Sequence, residues 1–336
     1  GSQYMDTKLW TGNGTSQSIT GVGFSPDLVW VKSRSGAYAN MLQDTIRGAG
    51  KSLFSNLTTQ EVGNSGDLIT SFDSNGFTVN ATYLGGYNET TNNTGSTYVG
   101  WSWRGSDSSP VSNTDGTITS TVSANTDSGF SVVTYTGNGT SGATVGHGLG
   151  VAPEVYIIKN RDISSDWFVY TTKIDGSLDW LYLNTTATKS NSGASAPTSS
   201  VFSLTTTSGI NGSGNDIVAY CFHSVEGFSK FGSYTGLNNS DGPFVYLGFK
   251  PAFIMFKRTD STQNWFIFDN TRSQYNTIDD ELRPNTSDAE VTGQTNVDYL
   301  SNGFKIYSSG SAGINQAGNY IYMAFAENPM KHSLAR

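Results

Sequence analysis

Three prolines set the frame of this chain. Pro26, Pro153 and Pro251 each stand six residues before a lysine, Lys32, Lys159 and Lys257; twelve residues beyond each lysine come Asp44, Thr171 and Asp269. Two spacings held three times define an internal repeat of roughly 100 residues, longer than a solenoid turn and long enough for a small β domain. The expected fold class is all-β, three tandem β-sandwich-like repeats. Repeat 1 is placed at 1–105, a linker or edge strand at 106–128, repeat 2 at 129–226, and repeat 3 with a C-terminal tail at 227–336. Separate sandwiches are the simpler expectation, because the spacer "SDSSPVSNTDGTITSTVSANTDS" carries almost no large apolar residues.

The segments inside each copy read as strands. "DLVWVK", "EVYIIK" and "AFIMFK" are continuous apolar runs opened by proline, the pattern of central strands covered on both faces. "NMLQD", "WFVYT" and "WFIFD" follow as return arms of hairpins. "NGFTVNATY", "VFSLTTT" and "NGFKIYSS" alternate, the mark of one wet face. "YVGWSW", "IVAYCF" and "YIYMAF" close the copies. The repeated "TGNG" of residues 11–14 and 136–139 is expected to be a tight turn, since Asn-Gly supplies positive φ. No window shows a capped helical stripe; a turn near 275–282 is the best helical candidate.

Composition narrows the function classes. Aromatic residues make up 12% of the chain and charged residues only 14%, the reverse of a disordered segment. A formal net charge of −8 argues against nucleic acid, which needs a basic footprint. It also argues against an anionic membrane surface, and no apolar run reaches bilayer-spanning length. The opening Gly-Ser reads as a cloning remnant and the chain as an expressed fragment without a signal peptide. Cys221 shares a column with Ser102 and Ala324, next to the column Trp103, Phe222 and Phe325, so it is expected to be a buried packing residue.

Catalytic and cofactor signatures are missing from the sequence. His147, His223 and His332 lack partners at ligand spacing, and one cysteine excludes a thiolate zinc site. No nucleophile elbow, phosphate loop or dinucleotide fingerprint occurs. The local acidic cluster Asp279, Asp280, Glu281, Asp288 and Glu290 lacks the spacing of a calcium loop and reads as a solvated loop. Recurrence of Lys32, Lys159 and Lys257 favours a structural role, with Asp44 and Asp269 as ion-pair partners across a hairpin. Such a pair contributes about 1 kcal/mol if exposed. Trp167, Trp180, Tyr182, Trp265 and Tyr275 lie in or beside hairpins that vary between copies. They are the candidate ligand-binding residues, because aromatic faces stack on sugar rings. Neither a catalytic residue, a metal nor a cofactor is expected.

Long stretches resemble a widespread family of tailed-bacteriophage virion proteins, tail-fibre or structural proteins with a domain of unknown function. They are "FSPDLVWVKSRSGAYANMLQDTIRGAGKSLFSN", "NTDGTITSTVSANTDSGFSVVTYTGNGTSGATVGHGLGVAPEVYIIKNRD", "VEGFSKFGSYTGLNNSDGPFVYLGFKPAFIMFKRTDS" and the ending "NYIYMAFAENPMKHSLAR". The likeness spans essentially the whole chain; Met330 stands where phenylalanine is expected. It implies a location on the virion and no catalytic residues. The resulting expectation is a non-enzymatic receptor-binding module for a bacterial surface glycan or protein, working beside other phage tail proteins and as a possible homotrimer. A purely structural virion component and a polysaccharide depolymerase using residues near 279–290 are the alternatives.

Overall fold

A computed structural model describes residues 3–64, 67–81, 89–293, 297–307 and 313–327, leaving His332 outside the described residues. The protein is all-β. One strand order recurs in three antiparallel sheets: an opening strand, the closing strand, the proline strand, then the return strand. In the first sheet these are Met5–Thr11, Thr97–Trp103, Leu28–Ser33 and Met41–Asp44, extended by Leu53–Phe54. In the second they are Phe130–Thr136, Asp216–Phe222, Val155–Asn160 and Phe168–Thr171. In the third they are Ser229–Gly236, Gly318–Ala326, Pro251–Arg258 and Trp265–Asp269. The proline and closing strands lie centrally and are buried almost throughout, as continuous apolar runs require.

Each sheet carries a smaller cover sheet. The first is Gln17–Thr20, Gly76–Val79 and Ile69–Asp73; the second is Thr144–Gly146 with Val201–Ser203; the third is Phe244–Tyr246, Gly303–Ile306 and Val297–Leu300. The spacer resolves as edge strands: Ser120–Asn125 and Val111–Asn113 add to the second sheet beside its opening strand. Asp27 ties that addition to the first sandwich, accepting from Gly105 N at 2.7 Å and Ser123 Oγ at 2.9 Å. The helix among the described residues is Ser208–Asn211, and 275–282 forms turns and bridges instead.

The repeated "TGNG" has a docking partner. Gly14 and Gly139 take φ of 76° and 71°, as the turn requires. Asn92 and Asn211 accept from the backbone N–H of Asn13 and Asn138, at 3.1 and 3.0 Å, and Asn315 does the same for Leu237 at 2.9 Å. The residue before each asparagine offers its carbonyl to an aromatic donor: Trp10 to Thr91, Tyr135 to Ile210 and Tyr234 to Ile314. A repeated turn is held by a repeated clamp.

The sandwiches do not stand apart. Trp103, Phe222 and Phe325 meet in a triangle, with ring centroids 6.4, 5.8 and 6.1 Å apart. Around it Leu28, Val155 and Phe253 complete one continuous core drawn from all three sheets. Each principal sheet therefore buries one face under its cover and the other against its two neighbours. Among the described residues no strand is shared between the three sheets, as separate sandwiches require, but the central core is common to all of them, which the sequence did not show. The reason is area, since a sheet apolar on both faces must bury both. A residual cavity of about 20 Å³ beside Trp103 and Met323 has only apolar lining.

Candidate ligand-binding site

Features present in all three copies turn out to build the seams between sandwiches. Lys32, Lys159 and Lys257 are fully buried. Lys32 Nζ donates to Asn40 Oδ1 at 2.8 Å and to Thr286 O of the third sandwich at 3.1 Å. Lys159 donates to Ser165 O and to Thr58 O of the first, at 2.6 and 2.9 Å. Lys257 donates to Gln263 O and to Thr186 O of the second, at 2.8 and 3.2 Å. Each lysine reaches one neighbour, and the ring closes.

The expected pairing with Asp44 and Asp269 does not form. The hairpin register sets Asp44 opposite Leu28 and Asp269 opposite Phe253, four residues from the lysine. At about 3.3 Å per residue that is beyond reach. Asp44 instead holds Arg47 at 2.5 Å, and Asp269 holds Arg272 at 2.6 Å.

Burial pulls the lysines down from 10.5, Lys32 to about 7 and Lys159 and Lys257 to about 8. The unfolded chain therefore binds more protons between those values and 10.5, so stability rises with pH through that window. Between pH 7 and 9 the gain is on the order of 1–2 kcal/mol per lysine, at about 1.4 kcal/mol per pKa unit. Above about pH 10 it reverses, because burial raises Tyr135 and Tyr220 and unfolding frees them to ionise. Urea melts at pH 7, 8 and 9 should show a rising midpoint; a Lys159→Met, Lys257→Met variant should show a flatter one.

Two of the five aromatic candidates belong to the same seams. Trp167 and Trp265 are 0% and 1% exposed. Their indole N–H groups donate across the seams, to Phe54 O and Tyr182 O, both at 2.8 Å. With no open face they cannot stack on a sugar, and both leave the ligand list. Asn40 takes the equivalent place in the first sandwich and reaches Pro284 O at 3.0 Å. The backbone N–H of Asn40, Trp167 and Trp265 is in turn held at 2.9 Å by Asn56, Asn184 and Asn285. Sequence reasoning missed those asparagines because their separations, 16, 17 and 20, drift between copies.

The remaining candidates separate. Trp180 and Tyr182 are half-buried, 4.6 Å apart and packed on Phe168. Tyr275 stands 83% exposed. The acidic cluster disperses: Glu290 is held by Arg34 and Arg272, Glu281 by Arg283, and Asp280 accepts from Thr292. Burial and the neighbouring Asp280 push Asp279 up. Among the described residues no group of three His, Cys, Asp or Glu side chains could hold a metal. His147 is buried with Nδ1 accepting from Leu149 N and Nε2 facing Thr198 O, both at 3.2 Å, and burial lowers its pKa. Cys221 is buried, with its thiol pushed well up by burial.

The candidate ligand site lies where the copies differ. At the junction of the second and third sandwiches an open cleft of about 440 Å³ is lined by Glu154, Lys173, Ser224, Lys230, Phe231 and Tyr246, among others. Glu154 binds Lys173 at 2.5 Å and accepts from Ser224 N at 2.9 Å, which fixes the floor. Lys230 Nζ donates to Tyr246 O at 2.8 Å and sits 5.2 Å from the centre of its ring. Tyr246 is 56% exposed. A half-open phenol ring beside carboxylate, ammonium and hydroxyl groups offers one stacking surface and several hydrogen-bonding partners. Sequence reasoning missed Tyr246, because "FVY" is apolar at every position and carries no alternation to say which rings face outward.

A comparison with curated proteins gives no match. The family model described as "Domain of unknown function (DUF7483)" matches residues 1–329, nearly the whole chain, and the protein belongs to that family.

Proposed function

We propose that this protein is a non-enzymatic binding module of a bacteriophage virion, carried on a tail fibre, that recognises a glycan on the bacterial surface. The observation that carries the reading is the cleft at the second junction, with Tyr246 half-open above fixed polar groups. The division into units at 1–105, 129–226 and 227–336, with 106–128 between, belongs to the same proposal. Several copies on one fibre, a trimer included, gain avidity without new contacts.

A second reading, a purely structural virion component, draws on the seams: the lysine repeated in all three copies joins each sandwich to its neighbour. The two readings part in one experiment. The intact protein is titrated against a panel of bacterial surface polysaccharides, with reducing ends assayed in parallel. Binding without new ends is expected, and Tyr246→Ala should weaken it at least tenfold, about 1.4 kcal/mol, with an unchanged melting temperature. Release of ends would promote a depolymerase; no binding at all would favour the structural role.

A further inference from the structure

Resting on the glycan reading above, we infer that the ligand is a linear, uncharged polysaccharide that leaves the cleft at Tyr246 and crosses the outer face of the third cover sheet. Among the described residues the exposed aromatic side chains are Phe244, Tyr246, Tyr275 and Tyr307, and all four belong to the third sandwich. Phe244 and Tyr246 flank the buried Val245, so both point away from the core, about 7 Å apart along the strand. Phe244 pairs with Lys305, Tyr307 follows two residues later, and Tyr246 pairs with Gly303. A Cβ on Gly303 would lie 3.2 Å from the Phe244 ring, so the ring leans across the sheet there. At the far edge Asn276 exchanges two hydrogen bonds with the backbone of Tyr299, which places Tyr275 beside the third strand. The aromatic groups span the width of the cover sheet, and Tyr246 is common to sheet and cleft.

The other cover sheets lack this surface. Ile19 and Val145 hold the place of Val245, each paired with a buried phenylalanine as Val245 is with Phe304. The residues flanking that place are the exposed Ser18 and Thr20 in the first, and the half-buried Thr144 and buried Gly146, which lies under Asn113, in the second. Packing therefore does not require aromatics at these positions. The charges decide the class of glycan. Lys305 is held by Asp241 at 2.5 Å and Gly242 O at 2.6 Å, with Asp298 as its cross-strand partner, and Lys230 is held by Tyr246 O. Lys305 is paired with Asp241 and Lys173 with Glu154, and Lys230 shares the cleft rim with the exposed carboxylate of Glu226, so the carboxylates along the path match its cations in number and leave no net positive charge for an acidic sugar. An extended row of rings with its cations matched by carboxylates suits a neutral polymer that stacks several residues in succession.

The test is calorimetric titration of the intact protein with dextran, mannan and galactan oligosaccharides of one to eight sugars, with alginate fragments as the acidic control. Phe244→Ser, Tyr307→Ser and Tyr246→Ser are compared with wild type; serine already occupies the matching outward position at Ser18, so the variants are expected to fold. For the neutral series that binds, affinity should rise at least tenfold from the monosaccharide to the hexamer. Phe244→Ser and Tyr307→Ser should each lose about fivefold or more on the hexamer and nothing on the monosaccharide. Length-independent binding, lost in Tyr246→Ser but kept in the other two, would confine the ligand to the cleft; the inference falls and the glycan reading stands. Preference for alginate overturns the neutral assignment. Self-association abolished by Phe244→Ser would make the face a protein contact and also overturn it. Binding to no member of either series, together with none in the surface-polysaccharide panel, overturns both readings.

Discussion

Replacing Trp103 with alanine is expected to destabilise the entire chain by about 3–5 kcal/mol, the cost of deleting a buried tryptophan in a core that cannot collapse around the loss. Trp103 is 3% exposed and touches Phe222, Phe253 and Phe325, so its ring belongs to all three sandwiches at once. Calorimetry should record one cooperative transition, shifted down as a whole, in both wild type and variant. Independent sandwiches would behave differently: the first would melt early and the other two would keep their transition. Two separated peaks in Trp103→Ala would overturn the shared core. A mutation confined to one cover sheet, such as Phe77→Ala, tests locality, because Phe77 packs within the first sandwich only.

Arg47→Ile alone is expected to cost about 3–5 kcal/mol, because it strands the fully buried carboxylate of Asp44. Arg47 also bonds Glu61 at 3.0 Å and Tyr220 Oη at 3.1 Å, and Glu61 in turn takes Arg161 from the second sandwich. The seam between the third and first sandwiches repeats the plan with Asp269, Arg272, Glu290 and Arg34. The remaining seam shows the apolar solution within the same chain. Thr171 and Ile174 stand where the others have aspartate and arginine, and Met323 stands where Tyr220 or Trp101 donates to that aspartate. The triple variant Asp44→Thr, Arg47→Ile, Tyr220→Met should thus recover most of the loss, since replacing a whole buried ion pair is far cheaper than removing half of it. Denaturant melts of wild type, single and triple variants decide; a triple variant no better than the single would show that the network itself is required.

Acid should loosen the same seam. Burial alone would raise Glu61, but the hydrogen bond from Arg161 and the charge of Arg47 outweigh it and hold the carboxyl below its ordinary 4.5. A depressed folded value means that its contribution is complete above 4.5 and is lost as pH falls through the folded value.

Much of the fold was legible because it is local. Proline strands, return arms and closing strands announced themselves through continuous apolar runs, and the column Ser102, Cys221 and Ala324 is buried as its small side chains implied. The lysines were recognisable as structural, but their partners were not. Lys32 and Thr286 lie 254 residues apart, and nothing in the spacing of a hairpin points to so distant a carbonyl. Trp167 and Trp265 were misplaced for the same reason: a tryptophan beside a variable hairpin reads equally as a binding platform or a seam until its neighbour is known. The motif Asp-x-x-Arg, at 44–47 and 269–272, was visible and could have replaced the lysine–aspartate pairing.

By itself the sequence determined the class of structure and the strand plan, because alternation, apolar runs and Asn-Gly turns act over a few residues and are set by backbone geometry. Only the tertiary structure decided that the three sheets close on one aromatic triangle, that buried lysines lock each sandwich to its neighbour, and that Tyr246 and Phe244 remain outside. Those outcomes depend on which distant surfaces meet, and burial of the second face of each sheet selects that meeting as a property of the whole chain.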